Sequence, residues 1–299
     1  MSNLALVNNE ANFGALAAAM GMQADTSSSK EKSSVLPRLR VDHSGVMGEE
    51  EVKGKKRKVE VVPAGLYKLD IPEKDTLFAS KTSIRLFNQR FMYKRFVKEG
   101  DKNRFIKTLM ALDLKSDLRD NEGGFNCGKP SGWIEDYNAL PADMKSLIKS
   151  IKRVRVLFGQ VQLKDVVNAK GEEQPDVVLP FIWEVDNKDA FKTLGAPITQ
   201  MAKQNRLLPQ HWIQLETEEK ALPNGDSYFL PLATLDLSSS VPLTEEDQKI
   251  FADFNTWIDN YNDYIVKQHN DARANGAGDT AVDADLVEEF VDVEIKDAA

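Results

Sequence analysis

The sequence predicts an α+β protein whose body is rich in β-strand, and three observations support this fold class. From Val35 onward, short runs of β-forming residues are separated by Pro and Gly, which is typical of strands joined by turns. Residues 83–96 and 104–114 flank a turn that contains Gly100, so they predict a β-hairpin. After Thr244, apolar residues recur every three or four positions, which predicts one amphipathic helix.

The chain divides into four parts by composition. Residues 1–34 end in a polar run that cannot bury enough apolar surface to become ordered, so they predict a flexible arm with room for one short helix. Residues 35–243 are the predicted β-rich core. Residues 244–269 are the C-terminal helix, packed on that core. Residues 270–299 predict a flexible linker and an acidic tail, so we expect both termini to be disordered.

Each element of the core follows from its own pattern. Pro180 places one predicted strand at a sheet edge or at a bulge, because proline cannot donate to the ladder. Residues 142–151 carry apolar side chains on one side and predict a short helix, whereas helical signals in residues 189–208 are broken at Gly195 and Pro197. The predicted strands are residues 35–41, 56–62, 66–71, 83–96, 104–114, 153–163, 177–185, 211–217 and 227–237.

The composition argues against several classes of function. No apolar run approaches the roughly 20 residues of a membrane-spanning helix, so we expect no membrane contact and a cytoplasmic protein. The single cysteine, Cys127, permits no intrachain disulfide. His43, His211 and His269 are far apart in sequence and lie near no cysteine pair. The sequence therefore predicts no zinc site and no other cofactor.

The net charge of −8 is unevenly distributed along the chain. Residues 271–299 contain nine acidic and two basic residues, which gives this segment a charge of −7. The rest of the chain therefore sums to −1. Because the body is nearly neutral, a local excess of basic residues within it can form a surface that attracts anions.

The segment from Lys81 to Lys107 carries the strongest indication of a ligand. It contains nine basic and two acidic residues, with four Phe and one Tyr interleaved. Proteins that bind single-stranded nucleic acid combine aromatic rings, which stack on bases at about 1–3 kcal/mol each, with cations along the phosphates. The alternative is a hairpin whose rings face the core and whose basic side chains are solvated.

The alternation of this segment predicts which side chains share a face. Residues two apart on a strand point to the same side. Arg90 and Lys94 then lie opposite Phe91, so we expect either a β-bulge or an incomplete separation of basic and aromatic side chains between the two faces. The predicted binding face consists of Arg85, Phe87, Gln89, Phe91, Tyr93 and Arg95.

A second basic run supports the same interpretation. Five Lys or Arg residues lie between Lys145 and Arg155 without one carboxylate, although a solvated helix face running into a strand is an equal alternative. A glycine-rich loop between the two basic segments brings Lys129 and Trp133 near the predicted groove, or is simply structural.

The same loop has the spacing of a phosphate-binding loop at Gly123, Gly128 and Lys129. Pro130 stands where Ser or Thr would bind Mg²⁺, and the residues before the loop do not form a buried strand. Nucleotide hydrolysis is therefore not predicted. Cys127 has no histidine nearby to activate it, so we expect it to be a small packed side chain.

The tail mixes acidic residues with a few apolar ones. An anionic segment tethered to a protein with a basic groove can compete with nucleic acid and can recruit partner proteins. The alternative is an end that only keeps the protein soluble. The predicted partner-binding residues are Asp285, Glu288, Glu289, Phe290, Asp292 and Glu294.

One enzymatic alternative remains in the sequence. Asp176, Asp186 and Lys188 are spaced loosely like the carboxylates and lysine of a Mg²⁺-dependent nuclease, with Glu184 as an additional ligand. Loose versions of this pattern arise often by chance. No Ser-His-Asp or Cys-His arrangement is indicated.

The segments RFMYKRF, GGFNCGKPSGW, RVRVLFGQVQL and LPFIWEVD together resemble single-stranded DNA-binding proteins of tailed phages of marine bacteria, which act in replication and recombination. The resemblance spans residues 35–265 and implies an OB-like β-barrel whose acidic tail contacts replication or recombination proteins. Two departures are the absent Cys/His zinc cluster and Phe290, which lies well before the last residue. The nucleic-acid-binding positions it implies are Arg85, Phe87, Arg90, Phe91, Tyr93, Lys94, Arg95, Arg153, Arg155 and Phe158.

The leading prediction is a non-enzymatic protein that coats and protects single-stranded DNA. Phe87, Phe91 and Tyr93 are expected to stack on bases, while the Arg and Lys residues of both basic segments, Lys107 included, hold phosphates. The main alternative is a phage virion or assembly protein whose N-terminal segment and C-terminal helix make oligomer contacts. A homo-oligomer is left open in either case.

Overall fold

The computed structural model describes residues 35–52, 55–100, 102–132 and 134–274, which form eleven strands and four α-helices. The helices are α1 (Ala142–Ser150), α2 (Lys188–Thr193), α3 (Gly195–Lys203) and α4 (Glu245–Ala274). The strands are β1 (Arg38–Val41), β2 (Val46–Val52), β3 (Lys55–Val62), β4 (Tyr67–Asp70), β5 (Leu77–Glu99), β6 (Lys102–Lys107), β7 (Ile151–Asn168), β8 (Glu173–Gln174), β9 (Val177–Val185), β10 (Ile213–Ala221) and β11 (Ser227–Leu235).

Five of these strands close into a ring of pairings. β1 pairs with β4, β4 with β5, β5 with β7, β7 with β9, and β9 pairs back to β1. Each pairing is antiparallel except the short parallel contact between β1 and β9. β10 and β11 extend the sheet from one edge of β5, β6 pairs with the far end of β5, and β8 pairs with β7. β2 and β3 form a separate hairpin.

β5 and β7 form a long antiparallel ribbon that runs beyond the ring. Their pairing extends from Leu77 opposite Asn168 to Arg95 opposite Ile151. The register shifts between Leu86, which pairs with Gly159, and Asn88, which pairs with Phe158. This shift is a β-bulge, one of the two alternatives that the sequence left open, and it leaves an extra residue on β5.

The bulge reverses which side chains of β5 point to each side of the sheet. Before it, Ile84 and Leu86 point into the ring, where they pack in the cluster that contains Trp183. After it, Met92 packs in the cluster on the opposite side of the sheet, beneath α4. A strand without the shift would keep all even-numbered residues on one side, because the side-chain period is two.

α4 covers that opposite side of the ribbon. Its first turn is closed by a capping box, in which the Asp247 N–H donates to Thr244 Oγ1 (3.2 Å) and the Thr244 N–H donates to Asp247 Oδ2 (2.8 Å). Tyr261 and Asn262 then hydrogen-bond the main chain of Thr108 and Met110. The apolar side of α4 that packs on the sheet consists of Phe254, Ile258, Tyr261 and Ile265.

The structure confirms a β-rich α+β class with a C-terminal amphipathic helix. Within the residues that it describes, no helix is both long and apolar enough to cross a bilayer. The OB-like topology stays a prediction. An OB-fold is a Greek-key barrel, whereas these five strands follow one another around the ring in chain order. The predicted N-terminal arm and acidic tail lie outside the described residues.

Candidate nucleic-acid interface

An open cleft of about 600 Å³ lies between β7 and the helices α2 and α3. Three of its lining side chains are cations, one is a phenyl ring, and the others are small or carry neutral polar groups. No carboxylate lines it among the residues that the structure describes. We call it the basic cleft, and its lining residues are Arg155, Phe191, Lys192, Gly195, Ala196, Thr199, Gln200, Lys203 and Gln204.

Arg155 is held in the basic cleft by two aromatic rings and one hydrogen bond. Its Cζ lies 5.1 Å from the ring centre of Phe91 and 4.4 Å from that of Phe191. Its Nη1 donates to Gln89 Oε1 at 2.7 Å. A guanidinium on the face of an aromatic ring is attracted by the ring quadrupole. The side chain is therefore fixed before any ligand arrives, which lowers the entropy cost of binding.

Arg155 has no carboxylate to balance its charge in the described part of the chain. No ion pair joins it to Asp or Glu there, and its Nε is buried without a hydrogen-bond partner. Burial lowers the pKa of Arg155, although a guanidinium stays protonated near neutral pH. A half-buried cation without a counter-charge is costly, and an anion at this position would offset that cost.

The cationic surface continues along the ribbon. Arg153 lies two residues from Arg155 on the same face of β7, opposite Tyr93 of β5. Lys129 Nζ lies 5.8 Å from the ring centre of Tyr93. Arg95 lies on the same face of β5 and approaches Gly128. The basic cleft is thus one end of a longer strip that carries positive charge.

The aromatic part of the predicted binding face is mostly buried, which corrects that prediction. Phe87 is 4% exposed and packs edge-on against Phe254 of α4, with ring centres 6.0 Å apart. Phe158 is fully buried against the same helix, and Tyr93 is 5% exposed beneath the loop that contains Lys129. These rings cannot stack on bases in this structure. The reason is the bulge together with α4, which encloses Phe87 and Phe158.

Arg85 is a structural residue, contrary to its predicted contact with phosphate. It is 5% exposed, and its guanidinium forms a bidentate ion pair with Asp247, at 2.7 Å and 2.9 Å. Burial alone would raise the pKa of Asp247, but the hydrogen bonds from Arg85 and from Thr244 lower it. Arg85 therefore anchors the start of α4 to β5.

Lys94 and Lys107 are also buried, so their predicted role as phosphate contacts is wrong in this structure. They lie opposite each other on β5 and β6, and both Nζ atoms are 3.3 Å from a carboxylate oxygen of Glu184. Burial alone would raise the pKa of Glu184, but Lys107, Lys94 and the nearby Arg38 hold it well below its usual range. The three groups form a buried ion cluster.

Arg90 faces away from the basic cleft. It hydrogen-bonds the Asn88 side chain and the main-chain carbonyl of Gln89, and it lies near Asp259 of α4. Of the predicted residues, the structure brings Phe91 and Arg155 together, with Arg153, Arg95 and Lys129 alongside. Trp133 and the six tail residues predicted to bind partners lie outside the described residues.

Sequence reasoning missed the helical side of the basic cleft. Phe191, Lys192 and Lys203 come from α2 and α3, which the sequence treated only as a broken helical segment. A signal was present, because residues 188–208 contain four basic residues and one acidic residue. Which strand this segment would lie against depends on tertiary packing and could not be deduced from its pattern.

The nuclease constellation is not assembled. Asp176 precedes β9 and Asp186 follows it, so a nine-residue strand of roughly 30 Å separates them. Asp186 pairs with Lys152 at 2.8 Å, and Glu184 is bound by two lysines. Within the described ranges, no group of three or more His, Cys, Asp or Glu side chains could hold a metal ion.

The glycine-rich loop is not arranged as a phosphate-binding loop. Its residues Asn126–Gly128 form a single 3₁₀ turn, and no α-helix begins at Lys129. Cys127 is buried, and burial raises the pKa of its thiol, so it is a packed side chain as expected.

Comparisons with family models, with curated proteins and with solved structures find no match to this chain. The resemblance to phage DNA-binding proteins therefore stays a prediction.

Proposed function

We propose that this chain binds single-stranded DNA without chemistry of its own, and that the basic cleft is where the strand's phosphates are held. In this role Arg155 contacts a phosphate, and Lys192 and Lys203 contact its neighbours. Arg153 and Lys129 continue the path along the ribbon. As the phage resemblance implies, the protein would coat and protect strands during replication or recombination.

One observation carries the proposal, namely that Arg155 is positioned by Phe91, Phe191 and Gln89 and yet lacks a carboxylate in the described structure. Surface arginines in a neutral protein body are commonly paired with Asp or Glu. An unpaired and immobilised guanidinium beside two further lysines favours a polyanion as the ligand. A strand of nucleic acid supplies repeated phosphates, which match a cleft that continues into a cationic strip.

The test is a fluorescence anisotropy titration of a labelled dT oligonucleotide with the full chain, at several salt concentrations. We expect binding at low salt that weakens steeply as salt rises, because bound cations release counterions from the strand. Arg155→Ala should lower the affinity about tenfold and reduce the slope of log K against log salt by about one. A chain that does not bind the oligonucleotide at low salt would remove the proposal.

A charge-matched control separates the basic cleft from net charge. Lys192→Ala and Lys203→Ala each remove one positive charge from the cleft, whereas Lys170→Ala removes one from the exposed turn after β7. The first two variants should weaken binding by several-fold and the third by less than twofold. Equal losses in all three would mean that binding depends on overall charge and not on this cleft.

A further inference from the structure

A pair of aromatic side chains, of which Phe96 is exposed and Phe105 is half-buried, lies at the far end of the β5–β6 hairpin. Phe96 lies directly opposite Phe105, and their ring centres are 5.1 Å apart. Phe96 is 46% exposed, whereas most large apolar side chains of the described core are buried. The pairing of β5 with β7 ends at Arg95, so the hairpin beyond this point is a two-stranded projection.

The aromatic pair packs against the buried ion cluster through Phe105. Lys94 Nζ lies 4.4 Å from the ring centre of Phe105, and Lys107 Nζ lies 5.9 Å from it. Both lysines are fixed by Glu184 on β9. Phe105 is therefore held against cations that are themselves buried, and it supports Phe96 from one side. Such support fixes the position of an apolar ring that would otherwise move freely on a surface hairpin.

The chemistry around the pair favours a flat, anionic ligand. Lys98 is exposed on the same face of β5 as Phe96 and forms no ion pair with any described residue. Arg104 lies opposite Val97, so it points to the other side of the hairpin, where its 48% exposed side chain pairs with Glu122. An exposed ring beside the cation of Lys98 matches an unpaired nucleotide, whose base has a π-face and whose phosphate is negative.

We infer that the Phe96–Phe105 pair is a stacking platform for unpaired bases of the DNA held in the basic cleft, which reaches the pair by crossing the edge of β5 that β7 leaves open beyond Arg95. This inference rests on the proposed function and adds a second contact to it. Phe96 replaces the buried Phe87 and Tyr93 as the ring that meets bases. The phosphate contact and the base contact then lie on opposite sides of the ribbon, because Phe91 and Arg95 point to one side of β5 and Phe96 points to the other.

The experiment compares Phe96→Ala with the unaltered full chain on two labelled oligonucleotides of equal length, one of dT and one of abasic deoxyribose phosphate. We expect Phe96→Ala to lower the affinity for dT about tenfold without changing the salt slope, because stacking releases no counterions. Binding of the abasic oligonucleotide should not change. Phe96→Trp should keep the affinity for dT, since a larger ring still stacks.

Two controls keep the outcomes distinct. Val178→Ala shortens an apolar side chain that is 50% exposed on β9 and should leave both affinities unchanged. Arg155→Ala should weaken binding to both oligonucleotides, because both carry phosphates. If Arg155→Ala weakens binding while Phe96→Ala does not, the stacking platform is wrong and the proposed function stands. If the unaltered chain binds neither oligonucleotide, both proposals fail.

Discussion

The absence of a side chain at Gly195 leaves the space that the Arg155 guanidinium occupies. A Cβ added to Gly195 would lie 2.6 Å from Arg155 Nη2 and 3.0 Å from its Cζ, which is too close for real atoms. Only the guanidinium of Arg155 would have to move, so we expect the chain to fold with alanine at position 195. Gly195 is the first residue of α3, where alanine is favoured over glycine.

We therefore predict that Gly195→Ala displaces the guanidinium from its place between the two rings. The affinity for a dT oligonucleotide should fall about threefold to tenfold, while the melting temperature stays the same or rises slightly. The measurement is anisotropy together with thermal unfolding followed by circular dichroism. An unchanged affinity would mean that the exact place of Arg155 does not matter for binding.

The buried carboxylate of Glu184 leads to a separate prediction about the free energy of unfolding. Glu184→Gln keeps the shape of the side chain but leaves Lys94 and Lys107 buried without their carboxylate. The free energy of unfolding should fall by about 3 kcal/mol, as is typical when one partner of a buried ion pair is removed. Urea unfolding followed by tryptophan fluorescence measures this change, and Glu173→Gln, on an exposed side chain of β8, is the matched control.

The lowered pKa of the Glu184 carboxyl also leads to a prediction of how stability depends on pH. Because the pKa of Glu184 is lower in the folded chain than in the unfolded chain, the unfolded state binds more protons between those two values. Its contribution is therefore complete above the unfolded pKa of about 4.3 and is lost as the pH falls below it. The difference in stability between the original chain and Glu184→Gln should shrink between about pH 5 and pH 3. A difference that is constant over this range would contradict the assigned ion cluster.

At the scale of elements, the ion pair between Arg85 and Asp247 joins β5 to the start of α4. Arg85→Met removes the guanidinium and leaves Asp247 buried without its partner. We predict a loss of about 3 kcal/mol in the free energy of unfolding and no more than a twofold change in DNA affinity. Arg155→Ala should give the opposite result, with weaker binding and little change in stability. If Arg85→Met reduced the slope of log K against log salt, Arg85 would be shown to contact the DNA.

Much of the element order could be predicted from local patterns. Local patterns correctly indicated the hairpin at Gly100, the short helix after Pro141, and the long amphipathic helix. A bulge was one of two alternatives that the sequence left open for β5. The bulge that the structure contains precedes Asn88, so Arg90 and Lys94 still point away from Phe91, and their pattern could not have located it.

The candidate site was predicted less completely, for a physical reason. The face that a β-residue occupies depends on register, and the element that covers that face comes from a distant part of the sequence. Phe87 and Phe91 look equivalent in sequence, yet one packs under α4 and the other beside Arg155. The sequence shows which residue types are concentrated in β5. It does not show that α4 encloses one side of the ribbon and leaves the other to the helices of the basic cleft.

For the whole molecule, the distribution of charge predicts competition between the tail and DNA. The helix α4 extends to Ala274, five residues beyond its predicted end, so a deletion should begin after it. Residues 275–299 carry eight acidic residues and one basic residue. We predict that a chain ending at Ala274 binds a dT oligonucleotide more tightly, with the largest gain at low salt.

The control for this prediction keeps the tail and removes its charge. A full-length chain with Asn and Gln in place of the acidic residues after Ala274 should bind as tightly as the shortened chain. Tighter binding by the shortened chain alone would point to tail length rather than charge. Unchanged binding in both variants would exclude competition by the tail.

The β-bulge of β5 has one more consequence, which concerns how related sequences are compared. A relative that lacked one residue between Leu86 and Asn88 would align well on either side of the gap, with the same rings and the same basic residues. In that relative, however, every side chain beyond the gap would point through the sheet to the other side. Phe91 would lie under the helix and Met92 beside the guanidinium, so identity at these positions would conceal an inverted surface.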